Sequence, residues 1–310
     1  MTHKSRISLA VTAALTLSFP ADAAQRAYVA SFGSDANIGA QCTLVNPCRS
    51  FSGAHSAVDA GGEIVALDAA GYGSVTITKS VTITANPGYF AGIAVSTGDA
   101  VTIATPGVNV ILRNLSINSV GGTNGVVMTA GSQLSIENCV FSNFSAISGR
   151  AISVQTEARV RVVDTLVREN WHGLYLTGGA KATVARSTFL GNLDAGIYVT
   201  NTAATSTTAY VSDGVVSNNG NQGIGVRNNN ADGLAKAWAI RTTVANNAYG
   251  ISAEAFGGPA VVHVNGSLIV DNTNAGYFHN GEGSAIQTAN NNTINGNVGN
   301  VGSLTYIPPQ

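Results

Sequence analysis

The chain has 310 residues, a formal net charge of −1, and charged side chains at only 10% of positions. This balance argues against a nucleic-acid partner, because such binding depends on a surplus of Lys and Arg against phosphates. Glycine is abundant, with 36 residues spread along the chain, and Val, Ile, Thr, Ser and Asn are frequent between them. The mixture favours short strands and tight turns over helices.

The first predicted element is a secretory signal peptide, residues 1–23. Lys4 and Arg6 form a basic start, an apolar stretch follows at 7–19, and small residues then offer a cleavage site after Ala23. The apolar stretch is shorter than the roughly 20 residues of a membrane span, which favours cleavage over an uncleaved anchor. We therefore expect a secreted or periplasmic mature protein without a membrane span.

Residues 24–60 are predicted to form an N-terminal cap. Cys42 and Cys48 flank a short turn, and an oxidising compartment allows them to form a disulfide that closes this loop. Residues 49–60 are predicted to form one short amphipathic helix. The third cysteine, Cys139, lies in an apolar run and is interpreted as a small buried hydrophobe.

A repeated phrase of a small residue, an apolar residue, any residue and an apolar residue follows the cap. Copies start at Gly92, Gly125, Ala151, Gly173, Gly196, Gly223, Gly250 and Gly276. From Gly125 onward, the start recurs at a nearly constant interval, as in a repeat architecture. Such a unit holds about three short strands, which bury a continuous core only when units stack. A leucine-rich repeat lacks support, because its fixed leucines are missing.

The spacing therefore predicts an all-β fold, a single-stranded parallel β-helix with three short strands per coil. It has about eight coils over residues 61–300, an N-terminal capping helix, and a tail at 301–310. An Asn precedes each later copy, where its tolerance of left-handed backbone angles suits a turn. These residues are Asn143, Asn170, Asn192, Asn219, Asn246 and Asn272. Stacked in line, their amides can bond one another along the axis.

The sequence at the start of the coils carries a family resemblance. Gly-Gly-Glu-Ile-Val at 61–65 follows the capping helix, and an alternating Val-Thr-Ile-Thr pattern occupies 75–84. Together with the repeats, these residues resemble the pectate-lyase-like superfamily of right-handed parallel β-helices, of the exported bacterial type, over roughly residues 40–300. The resemblance implies a right-handed solenoid. It does not imply one function, because this fold hosts lyases, hydrolases, epimerases, adhesins and phage tailspikes.

Strand alternation predicts which side chains face outward. The third residue of the phrase forms a first outward row: Val127, Ser153, Tyr175, Tyr198, Gly225, Ser252 and Phe278. The residue after the phrase forms a second row: Thr129, Gln155, Thr177, Thr200, Arg227, Glu254 and Asn280. Neighbours within a row are expected about 4.8 Å apart.

The two tyrosines of the first row suggest a sugar-binding face. Exposed aromatics beside hydroxyl and amide groups suit a sugar, whose apolar ring face stacks while its hydroxyls form hydrogen bonds. The residues assigned to substrate binding are Trp171, Tyr175, Thr177, Tyr198, Thr200 and Phe278. The alternative is that stacked tyrosines are ordinary cross-strand stabilisers.

Arg227 and Glu254 are predicted neighbours in the second row. They can act as a carboxylate clamp beside a general acid or base, or form a plain surface ion pair. With His172 and Arg168 they are the weak catalytic candidates. Family catalytic motifs such as Asp-Asp and Gly-His-Gly are absent from the sequence. No metal site and no cofactor are predicted.

The sequence thus favours an exported β-helix protein that binds a polysaccharide or a cell-surface partner along one strand face. The alternative is a polysaccharide lyase or glycoside hydrolase acting on an acidic polysaccharide. Whether the protein is an enzyme stays open at this point, because the fold suggests one and the missing motifs do not.

Overall fold

The computed structural model describes residues 25–308, so the predicted signal peptide at 1–23 lies outside the described residues. The described chain is a parallel β-solenoid in which each full coil contributes one strand to each of three sheets. This confirms the predicted fold class and the three strands per coil. The coils number about nine, one more than the repeat count predicts. The copy at Gly92 lies on the second sheet, whereas the third-sheet strands Val75–Ile77 and Asp99–Ile103 carry the phrase and were not counted.

The sheets are named in the order in which a coil visits them. The first sheet has 12 strands: Arg26–Val29, Gly62–Ala66, Val81–Ala85, Asn109–Arg113, Gln133–Glu137, Arg159–Val163, Lys181–Ala185, Ser206–Ser212, Leu234–Ile240, Ala260–Asn265, Ser284–Thr288 and Leu304–Tyr306. The second sheet has 10: Ala70–Gly71, Ala91–Val95, Leu115–Ser119, Val140–Ser142, Leu166–Arg168, Thr188–Leu190, Val215–Ser217, Thr243–Ala245, Leu268–Val270 and Thr293–Asn295. The third sheet has nine: Val75–Ile77, Asp99–Ile103, Asn124–Met128, Arg150–Val154, His172–Leu176, Ala195–Asn201, Gln222–Asn228, Tyr249–Ala255 and Ala275–Asn280.

The N-terminal region combines a strand, two short helices and a crosslink. A 3₁₀ helix spans Asp35–Ala40 and an α-helix spans Phe51–Ala57. The α-helix is shorter than predicted. It begins after Ser50, whose hydroxyl caps it by accepting a hydrogen bond from the Gly53 N–H, and it ends before Val58, where the backbone is extended. The predicted disulfide between Cys42 and Cys48 is present, with 5.0 Å between the Cα atoms.

Both ends of the first sheet come from segments predicted to lie outside the coils. Arg26–Val29, in the predicted cap, pairs in parallel with Gly62–Ala66. Leu304–Tyr306, in the predicted tail, pairs with Ser284–Thr288. The division into a cap (24–60), coils (61–300) and a tail (301–310) remains a proposal. Strand pairing in the first sheet continues across both the cap–coil boundary and the coil–tail boundary.

The core is a continuous apolar column enclosed by the three sheets. Its largest side chains include Phe141, Phe144 and Phe189, all fully buried. Cys139 is buried among them, and burial raises the pKa of its thiol to about 12. A thiol held neutral in this way is an unreactive packing group, as its apolar sequence context predicts.

A buried asparagine ladder lines the corner between the second and third sheets. Its side-chain amides bond one another from coil to coil at 2.8–3.1 Å. The members are Asn170, Asn192, Asn219, Asn247, Asn272 and Asn297.

Two of the six predicted ladder members are wrong. Asn143 and Asn246 occupy the preceding turn position, where their φ angles are 68° and 56°. At the coil of Asn143 the ladder position holds Phe144, whose N–H donates to the side-chain carbonyl oxygen of Asn170. The left-handed turn and the ladder are adjacent positions, and Asn suits both, so the sequence pattern alone does not separate them.

Candidate functional site

The strand register places both predicted outward rows on the third sheet. Tyr175 pairs with Ser153 on one side and Tyr198 on the other. Arg227 pairs with Thr200 and with Glu254. The neighbour relations predicted from the repeated phrase therefore hold for both the tyrosine pair and the Arg227–Glu254 pair.

Several outward side chains are nevertheless covered. Ser153 is 0% exposed, Ser252 1% and Thr200 4%. Thr200 was assigned to substrate binding, and its burial contradicts that assignment. Alternation decides which way a side chain points, whereas longer side chains on neighbouring coils decide whether solvent reaches it. Tyr175 and Tyr198 remain half-buried, with part of each ring accessible.

His172 is the centre of the polar cluster on this face. It is the first residue of its strand and is mostly buried. Its Nε2 lies 2.9 Å from a carboxylate oxygen of Asp194 on the next coil. Its ring centroid is 5.6 Å from that of Tyr175 and 5.5 Å from that of Tyr198. A histidine, a carboxylate and two phenols thus meet within two coils.

Asp194 is held as a carboxylate. The hydrogen bond from His172, and a second one from the Asn221 side-chain amide at 2.9 Å, hold the pKa of Asp194 below its ordinary value against the effect of burial. The sequence analysis missed this residue because it precedes the repeated phrase. Its position two residues after the ladder asparagine Asn192 is the signal that could have found it.

Arg150 is the second residue that the sequence analysis missed. It pairs in register with His172, and its guanidinium carbon lies 3.7 Å from the Tyr175 ring centroid. Within residues 25–308 it forms no ion pair. Its Nε is buried without a hydrogen-bond partner in this range. The face therefore carries a cation that is not neutralised by an acid.

Arg227 and Glu254 are neighbours but form only a loose pair, with 3.9 Å between charged atoms. Glu254 instead accepts a hydrogen bond from the Gln222 amide at 3.0 Å. Arg227 lies over the Phe256 ring at 4.5 Å. An open cavity of about 210 Å³ lies beside Gln222 and Glu254, and Phe278 also lines it.

The remaining candidates lie at the margin of this face. Trp171 is half-buried in the turn and makes an edge contact with the His172 ring, with centroids 6.5 Å apart. Thr177 is half-buried just after its strand. Arg168 belongs to the second sheet and pairs with Glu169 at 2.8 Å. The corner turn places it on a different sheet from the other catalytic candidates.

Tyr198 is a poor proton donor or acceptor at neutral pH. Burial raises its pKa to about 12, with a smaller opposing effect from Arg227. Tyr198 can therefore contribute to the site through its ring and its neutral hydroxyl.

A second aromatic feature lies on the first sheet, outside all of the predicted site residues. Tyr210, Trp238 and His263 pair in register on successive coils. Their rings stack, with centroid distances of 4.1 and 5.1 Å. Their spacing along the chain matches the interval of the repeat, so the signal for this row was present in the sequence.

No group of three or more His, Cys, Asp or Glu side chains is placed to hold a metal ion within residues 25–308. The helices described here are too short to cross a membrane.

Comparisons with known proteins agree on the architecture. A family model described as a right-handed β-helix region matches residues 91–258. The structure of pectate lyase Pel9A superposes with a TM-score of 0.58 at 16% identity, over 92% of this chain and 78% of that chain. A comparison of the sequence with curated proteins returned no match.

Two Azotobacter vinelandii mannuronan C-5 epimerase A-modules also superpose. AlgE4 gives a TM-score of 0.47 at 12% identity over 81% of this chain and 91% of that chain. AlgE6 gives 0.45 at 14% identity over 81% and 92%. The matched family region covers more than half of the sequence and coincides with the stacked coils, and the chain belongs to the right-handed β-helix family.

Proposed function

We propose that this protein binds an acidic polysaccharide along the outer face of the third sheet. The observation that carries the proposal is the juxtaposition of Arg150, which has no acidic partner in the described chain, with the half-buried rings of Tyr175 and Tyr198. The pectate lyase of similar fold acts, by its name, on such a polymer.

The chemistry of this cluster suits a uronate chain. A guanidinium binds a carboxylate through two parallel hydrogen bonds, and Arg150 also has a buried N–H without a partner in the described chain. Tyrosine rings offer flat apolar surface for the C–H face of a pyranose and hydroxyls for its oxygens. The row runs along the solenoid axis, so a linear polymer can contact several coils.

The proposed site of action is outside the cytoplasm. The disulfide between Cys42 and Cys48 belongs to an oxidising compartment, and residues 1–23 have the composition of a signal peptide. A secreted or periplasmic protein meets polysaccharides there. A cell-surface glycan is included in this class of partner.

The binding test is affinity electrophoresis in gels that contain polygalacturonate, alginate or a neutral glucan. Retardation by an acidic polymer is expected, and Tyr175→Ala combined with Tyr198→Ala should abolish it. Because Tyr198 is half-buried, circular dichroism must show that the double variant is folded. Retardation that survives in a folded double variant contradicts the assignment to this face.

A polysaccharide lyase or glycoside hydrolase is the second candidate, and the pairing of His172 with Asp194 favours it. A carboxylate that orients an imidazole and stabilises its protonated form is a recurring arrangement in proton transfer. Glu254 and Arg227 remain weaker candidates, since Glu254 is engaged by Gln222.

The enzyme test uses purified protein on a panel of uronic-acid polymers. Absorbance from unsaturated chain ends reports a lyase, and reducing ends report either a lyase or a hydrolase. Activity should disappear in His172→Gln. No turnover on the panel, together with retained binding, leaves the binding function alone.

A further inference from the structure

The aromatic row on the first sheet is a stack whose ring faces point along the solenoid axis. The planes of Tyr210 and Trp238 are 13° apart and those of Trp238 and His263 are 11° apart. The centroid distances of 4.1 and 5.1 Å are close to the spacing of about 4.8 Å between paired strands. Each ring therefore covers a face of its neighbour, and the outer faces of the two end rings have no aromatic neighbour.

The stack ends where the row changes to polar residues. Beyond His263 the next residue in register is Gln287, and before Tyr210 it is Thr183. An open cavity of about 370 Å³ adjoins the His263 end and is lined by His263 and Gln287. The outer side of the His263 ring thus adjoins Gln287 and an open space.

The lining of this cavity is uncharged. Apart from His263, it consists of apolar and neutral polar side chains, among them Asn265, Thr288 and Asn291. Burial, assisted by Lys236, lowers the pKa of His263 to about 4, so this ring is neutral at pH 7. Its Nε2 is buried and has no hydrogen-bond partner within residues 25–308.

The opposite end of the stack differs in charge. A cavity of about 570 Å³ beside Tyr210 is lined by Arg159, Arg161 and Lys181. The two ends therefore differ in charge: cations line the cavity at the Tyr210 end, whereas no cation lines the cavity at the His263 end.

We propose that the cavity at the His263 end is a second glycan site, which binds a neutral pyranose ring stacked on His263 as the next member of the aromatic row. The neighbouring amide side chains of Gln287 and Asn265 accept and donate the hydrogen bonds of the sugar hydroxyls. This site lies on a different sheet from the acidic-polysaccharide face, so each proposal can be tested, and can fail, without the other.

Tryptophan fluorescence tests the proposal directly. The chain has two tryptophans, so Trp171→Phe leaves Trp238, inside the stack, as the sole reporter. Cello-, xylo-, manno- and maltohexaose are titrated, with a galacturonate hexamer as the acidic probe. At least one neutral hexaose should shift the Trp238 emission with saturation, and His263→Ala in the same background should raise its Kd about tenfold, which corresponds to ~1.4 kcal/mol.

Gln287→Phe, which adds a ring but no further tryptophan, provides the second variant. A ring at this position fills the cavity by extending the stack, so neutral-sugar binding should be lost while the thermal midpoint holds or rises. Arg227→Gln, on the third sheet, should leave neutral-sugar binding unchanged. The proposal is overturned if no neutral hexaose perturbs Trp238, if only the galacturonate hexamer does, or if binding persists in Gln287→Phe. Retardation by acidic polymers is measured separately and tests the proposal for the third sheet.

Discussion

The outer faces of the third and first sheets both carry an aromatic row, yet they are organised differently. On the third sheet, Tyr175 and Tyr198 surround a histidine–carboxylate pair and lie beside Arg150. On the first sheet, Tyr210, Trp238 and His263 form one stack, with the Lys236 ammonium 5.0 Å from the Trp238 ring centroid. The first arrangement surrounds its rings with an acid and cations, whereas the His263 end of the second adjoins a cavity with an uncharged lining.

The difference arises from what precedes each row along the strand. The strands of the third sheet begin directly after the asparagine ladder, and this corner brings polar residues such as His172 and Asp194 over the tyrosines. The strands of the first sheet alternate regularly, so each ring stacks on the ring of the preceding coil. A corner with a variable number of residues builds a mixed cluster, whereas uninterrupted alternation builds a uniform stack.

Removing a ladder amide should disrupt the third sheet most strongly. Asn192 accepts hydrogen bonds from the Asn170 main chain and side chain and donates to Asn219. Asn192→Ala leaves buried polar groups without partners, and a loss of about 3 kcal/mol in the free energy of unfolding is expected. The control is Asn274→Ala, at an exposed position of the same corner. Equal urea midpoints for the two variants contradict a structural role for the ladder.

Replacing Arg150, the cation of the third sheet, should distinguish the acidic ligand of that sheet from the neutral ligand of the first sheet. Arg150→Gln should weaken binding of acidic polysaccharide about tenfold, equivalent to ~1.4 kcal/mol, and leave neutral-sugar binding unchanged. The matched control is Arg161→Gln, on the first sheet, where Arg161 already pairs with Glu137 at 2.6 Å. If Arg161→Gln has the larger effect on acidic retardation, the acidic polymer lies on the first sheet.

Mild acid should weaken the fold through the first sheet. The pKa of His263 is lowered by burial to about 4, whereas an unfolded histidine titrates near about 6.5. Between these values the unfolded state binds more protons, so stability falls as the pH drops through this window. Thermal melts of His263→Gln should show a shallower pH dependence there. Some slope will remain, because burial also lowers the pKa of His55 to about 4.

Stronger acid should act on the third sheet, with a smaller effect. The hydrogen bond from His172 lowers the pKa of Asp194, so its stabilising contribution is complete above the unfolded value of about 3.9 and is lost as the pH falls through the lower folded value. Asp194→Asn should therefore be less stable than the native protein at neutral pH, and the gap should close below about pH 4. A gap that is independent of pH contradicts this assignment.

The repeats predicted much of the architecture. The interval between copies of the phrase predicted three strands per coil, and the phrase register placed Tyr175 beside Tyr198. The residues of the candidate site were harder to predict. Arg150 and Asp194 precede the repeated phrase, where the number of corner residues varies between coils, so alternation could not assign them a direction. The position of Arg168 relative to His172 was not predictable for the same reason, since a turn separates the two residues.

The sequence by itself determined the solenoid, its register and the disulfide, because these depend on periodicity and on a short loop between two cysteines. Only the tertiary structure decided which outward side chains are reachable and which charges meet. Thr200 is covered, whereas His172 finds Asp194 on the following coil. Such contacts depend on side-chain length and corner geometry across adjacent coils, and these quantities have no fixed period in the sequence.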